Sequence, residues 1–324
     1  MTTVKTTYNT LDIPGPKMAG HNNCHLFTII AAFIGFLFMI TLNILANYEV
    51  PGLFGGEGVG NISDKYYTDI TPAGFTFSIW GLIYTWQVIW LLYALASICR
   101  QGNNGPLYRS PVLLPSGFFI VYIINNIVVW TWLLVWDREI LIAAFVVLAL
   151  SAITLYICIG ISMKYLVDKT PELTKAGMLR ERWWIWLAVQ NGLAIFATWT
   201  SLASMINMAV VMEYVAGVEH KLCGTVALSI IVAGLLFWSI FELAALDQYA
   251  RYLFMPYLVV CWALGGVIAA HWGVDWQPTD RNAIYTAVVL AIAITLGVTK
   301  IFLMIYRHIT KPLVAMEITS TLKE

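Results

Sequence analysis

The chain has 324 residues, 60% of them hydrophobic and 11% charged, with mean hydropathy +0.77 and a formal net charge of zero. Charged residues make up about a quarter of an ordinary soluble domain. The composition therefore excludes a water-soluble globule and indicates an all-α polytopic protein whose first partner is the lipid bilayer. No basic stripe points to nucleic acid.

Residues 1–24 form a polar tail with Pro14 and Pro16 and no cleavable-signal pattern, so the first apolar run is expected to stay as an anchor. The tail ends in His21-Asn-Asn-Cys24-His25, which lacks the four spaced ligands of a zinc site. The five cysteines fall singly and form no disulfide framework. No metal is assigned.

A span needs about 20 apolar residues. Eight runs qualify: 26–46, 75–98, 113–136, 140–163, 184–212, 222–242, 252–271 and 283–306. With the N-terminus cytosolic, Lys65, Arg138, Lys221 and Arg281 lie outside, Lys300 falls within the eighth run, and every other Lys and Arg lies inside. The positive-inside rule then places both termini in the cytosol. Asn61-Ile-Ser63 is a candidate glycosylation sequon on the outer side. It favours the plasma membrane or endomembranes over mitochondria.

The first outer connection carries "VPGLFGGEGVGNIS", a glycine-rich stretch that reads as a lid over a site or as a glycosylated linker. It leads into "TPAGFTFSIWGLIY", which places Trp80 and Tyr84 one turn apart inside the second span. The third span offers Asn125 and Asn126, then Trp132 and Trp136 at a spacing of four. The cytosolic stretch "KYLVDKTPELTKAGMLRER" carries the breakers Pro171 and Gly177, so it predicts a short amphipathic turn at the lipid surface. In the fifth span Trp199, Ala203 and Asn207 recur every four residues and share one helix face, with Gln190 and Asn191 earlier in the same run. Amides inside spans serve either as hydrogen-bonding glue between helices or as ligand contacts.

Among the fourteen tryptophans, Trp183, Trp184, Trp186, Trp272 and Trp276 read as interfacial belt residues. Trp199 and Trp262 lie too deep for a belt. Glu242 near the inner end of the sixth span and Lys300 in the eighth are expensive inside a membrane. Lys300 either snorkels to the surface, pairs with Glu242, or marks an ion pathway. No catalytic motif is present, so no catalytic residue is assigned and no cofactor is required.

Three of these segments, "TPAGFTFSIWGLIY", "WTWLLVWDRE" and Trp199-x-x-x-Ala203-x-x-x-Asn207, together resemble the TspO/MBR family of tryptophan-rich sensory proteins. Trp80-x-x-x-Tyr84 resembles the family's W-x-x-L-Y element, with Ile83 in place of leucine; Thr71-Pro72 stands where short members carry a double proline. The resemblance implies a five-helix bundle over 25–212, followed by three additional helices over 213–309 and a cytosolic tail over 310–324. It also implies a cavity covered by the first loop that takes a tetrapyrrole (haem or porphyrin) or sterol-like molecule, for binding, transport or sensing. The matching pocket residues are Trp80, Tyr84, Trp132, Trp136, Trp199 and Asn207, with Asn126 and Ala203 as further candidates. Two rival functions stay open: an ion-coupled secondary transporter using Glu242 and Lys300, and a structural or receptor-like protein without small-molecule cargo. A homo-oligomer is compatible with each.

Overall fold

The computed structural model describes residues 20–47, 54, 58–102, 104–272, 278 and 280–313. Most of both terminal tails, residues 50–53 and 55–57 of the glycine-rich stretch, and Asp275 and Trp276 lie outside the described residues. Among the described residues, seven helical stretches are long and apolar enough to cross a membrane, and an eighth apolar helix is shorter.

In chain order the helices are α1 (Asn23–Asn47), the short α2 (Val59–Lys65), α3 (Ile79–Cys99), α4 (Ser116–Asp137), α5 (Leu141–Lys175), α6 (Leu179–Trp183), α7 (Asn191–Val210), α8 (His220–Ala245), α9 (Asp247–Ala250), α10 (Met255–His271) and α11 (Arg281–Thr310). A 3₁₀ turn, Gly74–Ser78, leads into α3, and π-helical turns Trp184–Gln190 and Val211–Val215 flank α7. A two-residue β-ladder, Gln101–Gly102 against Gly105–Pro106, closes the α3–α4 connection.

The packing forms two rings. α1 packs on α3 and α4, α4 on α5, α5 on α7, and α7 back on α3. On its other side α7 packs on α8 and α10, which both meet α11. α7 is therefore the shared wall, and Asn191 to Thr200 are all buried. Its sequence explains why it can sit there: "NGLAIFATWTSLAS" is apolar or small on every face, as a helix with no lipid-facing side must be.

Two local expectations are corrected. α5 does not stop before Pro171 but runs through it to Lys175. A proline inside a helix removes one backbone bond; here Leu166, Thr170 and Leu173 stay buried on both sides of it. The chain breaks instead at Gly177, whose φ of +67° suits a glycine after a helix end. The short α6 that follows exposes Leu179 and Trp183 and buries Glu181 and Arg182. Its Glu181 is buried, accepting from Tyr93 Oη at 2.8 Å and pairing with Arg100 at 2.5 Å. The seventh apolar run starts later than residue 252, because Pro256 at the first turn of α10 sets the helix start.

A candidate aromatic cavity under the α1–α3 connection

At the end of the bundle away from Asn23 and Thr310, α2 folds across α1 and α4. Lys65 Nζ and Tyr66 Oη both donate to Glu139 in the tight α4–α5 turn, at 2.7 and 2.5 Å. Those hydrogen bonds, from Lys65 first and then Tyr66, hold the Glu139 carboxyl below its usual range. Glu139 itself adopts φ +54°, a backbone conformation that turns α4 sharply into α5. Trp136 Nε1 donates to the carbonyl of Val59 at 3.4 Å. Beneath, Ile62 and Phe54 join Trp132, Trp136, Leu141 and Val210 in a separate apolar cluster.

Between α2, α1, α3 and α4 lies a cavity of about 340 Å³. Trp80, Tyr84, Phe77 and Trp132 supply its aromatic walls, Ile44 and Leu133 its aliphatic ones, and Asn43 and Asp64 its polar groups. Trp80 and Tyr84 lie 5.5 Å apart at a shallow tilt, and Tyr84 Oη donates to Asn43 Oδ1 at 2.8 Å. Behind them Trp199 meets Trp80 edge-on at 6.2 Å and Phe77 at 6.0 Å. Trp132 stacks on Trp136 at 5.9 Å with the planes 17° apart.

Three of the sequence-predicted residues, Trp80, Tyr84 and Trp132, thus line one cavity. Trp199, Trp136 and Ala203 form the layer that supports it. Asn207 caps back on the Ala203 carbonyl at 3.1 Å. Asn126 is not brought to the cavity: it faces α1, where its amide nitrogen lies 3.9 Å from a Cβ position at Gly35. Asn43, Phe77 and Asp64 line the cavity without having been singled out. An amide in the last turns of the first span was the one signal that could have found Asn43.

Among the described residues, three buried polar atoms around this site have no protein partner: Trp132 Nε1, Trp199 Nε1 and Asn207 Oδ1. A buried donor left without an acceptor costs about 1–3 kcal/mol, so such a cluster is a place where a ligand group or water gains binding energy. The described lining holds no Lys, Arg or His, and no Cys or Met.

The remaining candidates lie elsewhere. Lys300 Nζ pairs with Glu242, both buried, and also donates to the Ala250 carbonyl at 2.9 Å. The second Glu242 oxygen accepts from Tyr257 Oη at 2.8 Å. Asn61 is exposed on α2. His21 and His25 are engaged by Tyr108 Oη at 3.2 Å and the Leu114 carbonyl at 2.9 Å. The deep Trp262 is 41% exposed and donates to the Thr76 carbonyl at 2.9 Å.

A membrane-spanning helical bundle with an aromatic cavity beneath its first loop defines a membrane-embedded ligand-binding or sensing protein. The chain belongs to the TSPO-like protein family, whose model matches residues 29–301, both rings included. No curated protein and no solved structure shows a significant match.

Proposed function

We propose that the cavity bounded by Trp80, Tyr84 and Trp132 binds a flat hydrophobic small molecule, a tetrapyrrole-like macrocycle ahead of a sterol. The observation that carries this reading is the convergence of those three rings on one space, with the Trp132 indole N–H at its wall unpartnered among the described residues. Indole and phenol faces stack on extended π-systems, and a cavity of this size falls at the small end of ligand pockets. With no Lys, Arg or His in the described lining, recognition acts on the ring face. The carboxylates of a porphyrin would have to point to water. With no His, Cys or Met there, the reading is for the macrocycle and not for an iron ligated by the protein.

The test is titration of the purified protein with metal-free protoporphyrin, following tryptophan quenching. Saturable binding weakened at least tenfold in a Trp80→Ala/Trp132→Ala variant supports the site. Equal affinity in that variant overturns it. The charge asymmetry supports placing the cavity end outside the cytosol, and the exposure of Asn61 is consistent with a glycan there. Transport through Glu242 and Lys300 has less support, because both carboxylate oxygens of Glu242 are already engaged.

A further inference from the structure

The second ring grips the strap that joins α2 to the Gly74–Ser78 turn. Asp69, 5% exposed, is held on both oxygens: His220 Nε2 meets Oδ1 at 2.7 Å, and Asn282 Nδ2 donates to Oδ2 at 2.8 Å. The other His220 nitrogen, Nδ1, meets Glu213 Oε1 at 2.8 Å. Tyr67 Oη is bonded to the His271 ring at 3.1 Å, and the Tyr67 carbonyl accepts from Tyr214 Oη at 2.9 Å. Ala73 N–H donates to the Gly266 carbonyl at 3.0 Å. Two glycines permit the approach: a Cβ on Gly224 would lie 2.8 Å from Asp69 Cβ, and one on Gly266 would lie 2.0 Å from Thr76 Oγ1. The strap links two walls of the cavity, α2 with Val59, Gly60 and Asp64, and the turn with Gly74 and Phe77.

We propose that the ring of α7, α8, α10 and α11 is a proton-sensitive clamp on the cover of the aromatic cavity, with His220 as the group that locks and releases it. An imidazole with a carboxylate on each nitrogen satisfies both only as the doubly protonated imidazolium. Loss of one proton leaves a lone pair facing a carboxylate, turning an attraction into a repulsion, and frees Asp69 to leave α8. The His220 side chain is 39% exposed, so bulk protons reach it. The groups around it come from every neighbouring element: Asp69 and Tyr67 from the strap, Glu213 and Tyr214 from the π turn, and Glu219, Lys221 and Cys223 around the start of α8. His271 stands on α10, and Asp280 and Arg281 at the start of α11. Carboxylates dominate this set.

Only the purpose of the clamp rests on the proposed ligand site; the clamp itself is tested without ligand. Hydrogen–deuterium exchange of peptides covering residues 60–73 is measured across pH 6 to 9, each rate divided by the intrinsic exchange rate at that pH. The proposal expects protection to fall about tenfold or more toward high pH, as loss of a charged hydrogen bond implies. Peptides from residues 104–115 at the opposite end should stay unchanged. His220→Gln should abolish the pH step and leave the strap fast-exchanging throughout. A pH-independent strap in the wild-type protein overturns the proposal whether or not the variant folds. So does a step preserved in folded H220Q, or an equal loss of protection at the opposite end.

Discussion

Asn191 shows what a buried amide does when the protein itself satisfies it. Its Nδ2 donates to the carbonyls of Trp186 and Tyr252, both at 2.8 Å, and its Oδ1 accepts from the backbone N–H groups of Phe254 and Met255 at 3.1 and 3.2 Å. One side chain thereby fixes the start of α10 against α7. Replacing it with leucine, Asn191→Leu, orphans several buried backbone groups at about 1–3 kcal/mol each. A clear drop in the thermal midpoint of the detergent-solubilised protein is the expected outcome, and an unchanged midpoint would show that water takes over these bonds. Asn126 and Asn207, with the same functional group in the same kind of span, keep polar atoms without a partner among the described residues. Sequence spacing gives all three the same reading, because what separates glue from a ligand-facing amide is which carbonyls the neighbouring helix presents. Asn125 makes the same point, since its Oδ1 accepts from Ser151 and Thr154 on α5 at 2.9 and 3.0 Å.

Helices were the most legible level, since apolar runs of membrane length announce themselves by composition alone. Their ends and irregularities were less so. The π-helical turn Trp184–Gln190 carries no sequence signature, yet it is where α3 docks on α7. Trp86 Nε1 donates to the carbonyls of Leu187 and Ala188 at 3.2 and 3.1 Å, and Gln87 Nε2 reaches the Gly192 carbonyl at 2.8 Å. A wider turn leaves carbonyls within reach of such side chains. Gly192 is required by this contact, because a Cβ there would lie 2.5 Å from Trp86 Cδ1. Gly192→Ala is expected to displace Trp86 and to destabilise by about 1–3 kcal/mol, the usual cost of overpacking. The measurement is the thermal midpoint together with a shift in tryptophan emission. A shift in neither would mean that the two helices separate at negligible cost.

Across the whole molecule, the buried Glu242–Lys300 pair ties α8 to α11, while Asp247, bridged by Arg251 and Arg307, ties α9 to the last turns of α11. Breaking a buried pair at one partner typically costs about 3–5 kcal/mol, whereas replacing both is often near neutral. Lys300→Met should therefore destabilise strongly, and adding Glu242→Gln should restore most of the loss, as thermal unfolding of the two variants would report. Equal instability of single and double variants would remove the pair's structural role. The sequence by itself determined the solvent and the number and rough extent of the apolar helices, because these follow from local composition, and its motifs carried the resemblance to the family. It also placed Trp80, Tyr84 and Trp132 among the candidates. Only the tertiary structure decided that these three share one cavity while Asn126 faces α1, that Lys300 meets Glu242, and that α7 is the wall between two rings. The physical reason is common to all three. Inside a bilayer an aromatic ring, an amide or a charge is stabilised by the partner it finds across a helix interface, and that partner lies tens to hundreds of residues away in the chain.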